Sequence, residues 1–182
     1  MRMRRAERRD QILAAATRAF ARSGFAATSL DDVAAEAEVS RVILYRHFES
    51  KTDLYRAVLD AACLRLAAAV GTDEFTPASV DALLDAAARD PDGFRLLFQH
   101  AAREPEFRAE VDRLRADSVR VARRYLEELI RDPGWAAWAT QLTPTVAVDA
   151  VIAWLDAGQP DRGGAAGRIL QVLGAITEAA RR

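Results

Sequence analysis

Apolar residues recur along this chain three and four positions apart, which is the spacing of one face of an α-helix. The alternation of apolar and polar residues that predicts a half-buried strand occurs nowhere in the sequence. After residue 70, Pro and Gly residues interrupt the helical pattern at intervals. Between these breaks the pattern predicts helices near residues 78–89, 94–102, 105–131, 145–157 and 165–181. With four helices before residue 70, the predicted fold class is all-α with about nine helices.

The first 70 residues predict a short helical unit followed by one long helix. Ile12, Ala16 and Phe20 lie on one face of a helix over residues 8–22, which Gly24 ends. Short polar residues that can cap a helix N-terminus precede the next three helices: Thr28 or Ser29, then Ser40, then Ser50. The third helix is short, and only two or three residues separate it from the second. Three helices in this arrangement are typical of a helix-turn-helix unit.

The third helix has side chains suited to DNA on its outer faces. Leu44 and Phe48 are four residues apart and must face the core, which leaves Arg41, Tyr45 and Arg46 on neighbouring faces. The major groove of DNA is wide enough for an α-helix, and such side chains contact phosphates, base edges and thymine methyl groups there. The alternative is an ordinary amphipathic surface helix.

Charge is distributed unevenly along the 182 residues, although the net charge is only -1. Residues 1–48 contain nine Arg and six acidic residues, whereas residues 49–182 contain seventeen basic and twenty-one acidic residues. A basic N-terminal segment favours a polyanionic partner. Five of these arginines lie within residues 1–9, which form either a solvated tail or an arm that contacts the DNA backbone or minor groove.

Several classes of protein are excluded by the chemistry of the side chains. Cys63 is the only cysteine, and His47 and His100 are the only histidines, so we expect no disulfide, metal site or other cofactor. No set of nucleophile, base and orienting residue indicates an enzyme. No apolar run approaches the roughly 20 residues of a membrane span, and no signal peptide is recognisable, so we expect a cytoplasmic protein.

Residues 12–59, and above all the segment TSLDDVAAEAEVSRVILYRHFESKTDLYRAVL, resemble the DNA-binding head of TetR-type (tetracycline-repressor-type) regulators. The matching elements are Phe20, Thr28–Ser29, Val33–Ala34, Leu44–Phe48, Ser50–Lys51 and Leu54. The chain departs from the family at Glu38, where the family usually has a glycine in the turn, and at Val42–Ile43, where it often has two small residues. If Glu38 is left-handed, the strain costs about 1 kcal/mol.

The resemblance implies a helix-turn-helix DNA-binding domain with a basic arm at residues 1–52 and a helical ligand-sensing and dimerisation domain at residues 53–182. Arg41, Val42 and Ile43 would contact base edges, and Arg46 either bases or phosphates. The other implied DNA-contacting residues, most of them at phosphates, are Thr28, Ser29, Ser40, Tyr45, His47 and Lys51.

The resemblance also implies that the last two long helices pair with their symmetry mates in a dimer. The apolar stripes and the glycine that predict this interface are Val148, Val151, Ile152, Leu155, Ile169, Leu173, Gly174, Ile176 and Ala180. The alternative is that these stripes complete the core of the monomer. An effector pocket is expected among the middle helices, with the candidate lining residues Phe94, Arg95, Phe98, Gln99, His100, Phe107, Tyr125, Trp135 and Trp138, although ordinary core packing is the alternative for each.

We therefore expect a homodimeric DNA-binding transcriptional regulator. It would be a repressor that a small, mainly apolar effector releases from a pseudo-palindromic operator. The alternative is a helical ligand-binding or scaffold protein of the same fold that no longer binds DNA.

Overall fold

The structure is a computed structural model that describes residues 5–71 and 74–182. Within these residues the chain is helical and contains no strand, so the all-α prediction is confirmed. The helices are α1 Arg5–Ala27, α2 Leu30–Glu36, α3 Arg41–Tyr45, α4 Lys51–Val70, α5 Pro77–Arg89, α6 Pro91–Arg95, α7 Arg108–Glu127, α8 Pro133–Asp156 and α9 Ala165–Arg181. Between α6 and α7 the chain forms a π-helical turn and two 3-10 turns, at Leu96–His100, Ala101–Arg103 and Pro105–Phe107.

Two predicted boundaries are wrong. The break expected near Pro144 does not occur, because Pro144 lies inside α8. A proline removes one helical hydrogen bond, yet α8 continues through Pro144 and packs against α5 and α9. The helices predicted near residues 94–102 and 105–131 are replaced, over residues 96–107, by the π-helical and 3-10 turns.

The described chain forms two compact units. The first contains residues 5–64 together with Asp92–Val111, and the second contains residues 65–91 and 112–182. These units describe packing, so the functional division predicted after residue 52 stays a prediction.

An aromatic cluster forms the centre of the first unit. The Tyr55 ring of α4 is fully buried and lies 4.8 Å from the ring of Phe20 in α1. Phe107, from the last 3-10 turn, lies 4.4 Å from Tyr55 and 4.9 Å from Phe25. The helical head is therefore packed against a segment that follows it by about forty residues, which local periodicity cannot predict.

The second unit is built largely from α5, α8 and α9, which pack against one another. This packing involves most of the residues predicted for the dimer interface. Seven of the nine candidates are already buried within the single chain: Val151, Ile152, Leu155, Ile169, Leu173, Ile176 and Ala180. Val148 is half-buried and Gly174 is exposed. The buried members of the stripes contribute to the core of the protomer, which was the alternative interpretation, and the interface itself stays a prediction.

No helix in the described part of the chain is both long and apolar enough to cross a membrane.

Candidate nucleic-acid interface

Gly24 interrupts the first helix of the head where the sequence predicts an end, and helical turns continue beyond this break. Gly24 has a φ of 76° and a ψ of 171° and interrupts α1. An extended φ/ψ pair of this kind with positive φ is accessible essentially to glycine alone. The chain thereby turns toward α2 within a few residues.

The turn between α2 and α3 has a left-handed residue at Glu38, the case that the sequence had left open. Glu38 has a φ of 52°, in the region that a glycine adopts without strain. The Glu38 N–H donates to the Ala35 carbonyl at 3.1 Å, and the Val39 N–H donates to the Ala34 carbonyl at 3.0 Å. The turn is therefore closed by main-chain bonds, and Ser40 follows as the cap of α3, its Oγ accepting from the Ile43 N–H.

The faces of α3 are divided as its sequence predicts. Leu44 and Phe48 are buried, at 0% and 1% exposure. On the outer side Val42 is 62% exposed and Tyr45 is 44% exposed, with Arg41 and Arg46 exposed beside them and Ile43 half-buried. A short helix that exposes an aliphatic residue, an aromatic residue and two guanidinium groups has the chemistry of a surface that contacts base edges and phosphates.

Arg41 is held by three contacts in the absence of DNA. One of its terminal nitrogens lies 3.2 Å from a carboxylate oxygen of Asp31 in α2. Its other terminal nitrogen donates to the Tyr45 hydroxyl at 3.3 Å, and the guanidinium carbon lies 5.5 Å from the centre of the Tyr45 ring. The hydrogen bond with Tyr45 and the charge of Asp31 raise the pKa of Arg41, so the guanidinium stays protonated.

The basic N-terminal turn of α1 lies beside the end of α3. Arg9 donates to the carbonyl of His47 at 3.1 Å, and its guanidinium lies 4.3 Å from the centre of the Phe48 ring. Burial, followed by the positive charges of Arg5, Arg9 and Arg8, lowers the pKa of the half-buried His47. Residues 5–9 are therefore helical and not a solvated tail, whereas residues 1–4 of the predicted arm lie outside the described residues.

The N-terminus of α2 does not match the predicted phosphate site. Thr28 is only 3% exposed, and its hydroxyl lies 2.7 Å from the Gly24 carbonyl that it donates to. Ser29 forms a capping box, in which the Asp32 carboxylate accepts from the Ser29 N–H at 2.8 Å and from its hydroxyl at 2.7 Å. These bonds lower the pKa of Asp32. An ionised carboxylate therefore occupies the position where a phosphate was expected, and Thr28 faces the interior.

Lys51 is also placed differently from the prediction. Its ammonium donates to the carbonyls of Phe25 at 2.8 Å, Thr28 at 3.1 Å and Ala26 at 3.4 Å. It also lies 4.4 Å from the centre of the Phe25 ring. An ammonium has three donors, and three carbonyls accept from it here. Lys51 therefore holds the end of α1, and the geometry does not support a phosphate contact.

The candidate effector residues are divided between the two units. Phe94 and Phe107 are buried in the first unit, where Phe94 lies 4.8 Å from Phe98, and Arg95, Gln99 and His100 are half-buried near them in the chain. Trp135 and Trp138 form an exposed edge-to-face pair on α8, with centroids 5.5 Å apart.

The second unit has a cavity of about 110 Å³. Tyr125 is the only candidate effector residue among its lining residues, which are Phe75, Ala122, Tyr125, Leu126, Thr143, Leu170, Leu173, Gly174 and Thr177.

Two residues that shape the interface were missed. The sequence indicated no contact for Asp31, and Arg9 was interpreted only as part of a basic arm. Asp31 contacts Arg41 of α3 from ten positions away in the sequence, and Arg9 contacts His47, just after α3, from thirty-eight positions away. No local pattern reports contacts of that range.

Comparisons with known proteins agree with the geometry of the head. A model of the bacterial regulatory proteins of the tetR family matches residues 12–58. The HTH-type transcriptional activator FasR of Mycolicibacterium smegmatis is 31% identical over 172 residues, covering 87% of this chain and 77% of FasR. An HTH-type transcriptional repressor of Streptomyces coelicolor is 37% identical over 89 residues, covering 48% of this chain and 46% of the repressor.

The fold of the chain agrees as well. The crystal structure of a TetR-like transcriptional regulator from Rhodococcus sp. RHA1 matches with a TM-score of 0.80 at 22% identity, covering 97% of this chain and 96% of that one. With the match to FasR extending over most of both chains, this protein belongs to the tetR family of bacterial regulatory proteins and is a DNA-binding transcriptional regulator, not an enzyme.

Proposed function

We propose that two copies of this chain form a two-fold dimer that represses transcription from a pseudo-palindromic operator, with α3 of each protomer in a major groove. The observation that carries the proposal is the outer face of α3, where Val42 is 62% exposed between Arg41 and Arg46. An isolated exposed aliphatic residue needs no explanation, but one flanked by two guanidinium groups on a helix-turn-helix unit suits thymine methyl groups beside phosphates.

The contacts divide by chemistry. Arg41 and Val42 contact base edges in this proposal, together with the accessible part of Ile43. Tyr45 and His47 contact the phosphate backbone, and Arg46 lies where it can contact either. We leave Thr28 and Lys51 out of this set, because the hydroxyl of one and the ammonium of the other are bonded to main-chain carbonyls.

Selection of genome fragments by the purified protein, followed by mobility-shift titrations, tests this proposal. Arg41→Ala should lower operator affinity by about 1–3 kcal/mol and relax the base preference at one position of each half-site. Arg115→Ala, which removes an exposed arginine of α7, is the matched control and should change neither. An unchanged base preference in Arg41→Ala would show that α3 does not lie in the major groove as proposed.

The dimer surface is proposed on the exposed side of α9. Arg168, Val172, Ala175 and Ala179 follow one another by four, three and four residues, so they share a face. That face is exposed, with Val172 49% exposed. A dimer needs such a surface, because one α3 helix offers too little contact for a tight selective site, whereas two heads about 34 Å apart contact successive major grooves.

Neighbouring residues of α9 provide a matched test of that surface. Val172→Glu places a charge on the exposed face, and we expect a folded monomer with weak operator binding. Leu173→Glu places the same charge in the core of the protomer, where Leu173 is 5% exposed, and we expect loss of folding. Analytical ultracentrifugation measures the oligomeric state of both variants, and thermal melts measure their folding. A dimeric Val172→Glu variant would show that the interface lies on another surface.

The effector site is proposed at the cavity between α7, α8 and α9. Its lining is mainly apolar, and the Thr143 hydroxyl that borders it is buried without a hydrogen-bond partner. Its volume of about 110 Å³ is somewhat smaller than a cavity known to hold benzene. A small apolar molecule with one polar group fits this chemistry. It releases the operator only if it binds better to the protomer arrangement that does not bind DNA.

A variant that fills the cavity tests the effector proposal. Ala122→Leu should abolish the rise in melting temperature that small apolar alcohols and ketones produce in the unmodified protein. Operator binding without effector should be unchanged. If the same compounds stabilise Ala122→Leu equally, they bind at another place.

The sign of regulation is tested separately, because one relative is named an activator and another a repressor. A reporter gene behind the selected operator should be more active when the regulator is absent. A reporter that loses activity without the regulator would identify an activator.

A further inference from the structure

The contact between Asp31 and Arg41 joins the first turn of α2 to the first residue of α3. Both side chains are exposed, with the carboxylate and guanidinium 3.2 Å apart. Asp31 has no part in the capping box of α2, which Asp32 and Ser29 complete. The carboxylate of Asp31 thus lies on the surface proposed to face a polyanion, where a negative charge opposes binding.

The geometry around Arg41 indicates a role for the negative charge of Asp31. A long flexible arginine that contacts a base must lose its rotamer freedom when it binds. Here Asp31, the Tyr45 hydroxyl and the Tyr45 ring hold the guanidinium before DNA arrives. The guanidinium has five N–H donors, and these contacts use one on each terminal nitrogen. Arg41 can therefore keep both partners and still donate to a base edge.

We propose that Asp31 is a specificity-determining residue, which positions Arg41 for one base pair and weakens contacts with DNA that lacks that base pair. The inference rests on the proposed function, in which Arg41 contacts a base edge. On the cognate site the fixed Arg41 compensates for the charge of Asp31. On random DNA the same carboxylate repels the backbone and holds Arg41 away from phosphates.

The test compares two variants that each remove one negative charge from the head. Asp31→Asn keeps the size of the side chain and removes the ion pair. Glu49→Gln removes an exposed charge just after α3, and it is the matched control. Each is titrated with the selected operator and with random duplex at two salt concentrations, and each is used to select its own preferred sites. Thermal melts verify that both variants are folded.

We expect Asp31→Asn to lower operator affinity about fivefold and to relax the base preference at the same position as Arg41→Ala, since one bidentate contact accounts for about fivefold to a hundredfold discrimination. Its affinity for random duplex should rise about twofold as repulsion is lost. Glu49→Gln should raise both affinities slightly and keep the base preference. Asp31→Asn combined with Arg41→Ala should relax the preference no further than Arg41→Ala alone.

The outcomes separate this inference from the proposed function. If Arg41→Ala relaxes the preference and Asp31→Asn does not, the role of Asp31 is refuted and the groove contact of Arg41 stands. If Asp31→Asn tightens operator binding, the carboxylate competes with the base for Arg41, which also overturns the inference. If Arg41→Ala itself leaves the preference unchanged, it is the proposed function that fails.

Discussion

Replacing Tyr55 by phenylalanine should stabilise the protein. The Tyr55 ring is fully buried among aromatic rings, of which Phe20 and Phe107 lie within 5 Å, but its hydroxyl has no hydrogen-bond partner. A buried polar group without a partner costs about 1–3 kcal/mol, because it leaves water without replacing the bond that it had there. Phenylalanine keeps the ring contacts and removes the hydroxyl. We expect Tyr55→Phe to raise the free energy of unfolding by about 1–2 kcal/mol.

A thermal melt measures this change. For a chain of this length, 1 kcal/mol corresponds to about 2–4 °C, so the midpoint should rise by about 2–8 °C. Tyr125→Phe is the matched control, because Tyr125 is 45% exposed and its hydroxyl can bond to water. Its midpoint should stay within about 1 °C of the unmodified protein. An unchanged or lower midpoint for Tyr55→Phe would show that the hydroxyl has a partner, such as an ordered water molecule, and would refute the reasoning.

The pH dependence of unfolding provides an independent check of the same group. Burial, reinforced by the negative charge of Glu104, raises the pKa of Tyr55 well above its ordinary value near 10. The phenol therefore stays neutral in the folded chain while it ionises in the unfolded chain above pH 10. Ionisation favours the unfolded state, so this contribution to stability is present below pH 10 and is lost as pH rises above it. The advantage of Tyr55→Phe should accordingly grow above pH 10.

Three further predictions follow from the head. Glu38→Gly should leave the melting midpoint unchanged or raise it. Relief of about 1 kcal/mol of left-handed strain offsets the greater freedom of glycine in the unfolded chain. A clear fall of the midpoint would mean that the Glu38 side chain makes a stabilising contact. Lys51→Met should lower the free energy of unfolding by about 2 kcal/mol and leave the salt dependence of DNA binding unchanged. A stable variant whose salt slope is smaller by about one would show instead that Lys51 contacts a phosphate. A phosphate beside His47 would raise the lowered pKa of this residue, so operator binding should take up a proton and tighten as the pH falls toward that pKa. Isothermal titration in buffers of different ionisation enthalpy measures the uptake, which His47→Asn should abolish; equal uptake in both proteins would place His47 away from the phosphates.

The head could be predicted from sequence because its determinants are local. The spacing of Leu44 and Phe48 orients α3, and the caps Ser29 and Ser40 are formed where expected. Even the strained residue, Glu38, could be identified from the resemblance to a family with glycine there. Each of these features depends on residues within about one helical turn, which is the range over which a sequence pattern reports structure.

The roles of single polar residues could not be predicted in the same way. Lys51 and Thr28 have the chemistry of phosphate contacts, and a family resemblance transfers that chemistry with the residue type. In the structure the ammonium and the hydroxyl are both used by carbonyls at the end of α1. The acceptor that a side-chain donor bonds to depends on where the termini of other helices lie, with their free carbonyls. Their position is set by tertiary packing.

The two sides of α9 show why a periodic apolar stripe identifies a buried face but not what covers it. Leu173 and Val172 are adjacent in α9, yet one is 5% exposed and the other 49%. The longer stripe that includes Leu173 is covered by the protomer's own helices. The opposite side has Val172 with small residues such as Ala175, a weaker signal that periodicity alone assigns to solvent. A two-headed regulator needs a surface that remains uncovered in the folded protomer. Because α5, α8 and α9 pack together within the protomer, we propose the exposed side of α9 as that surface.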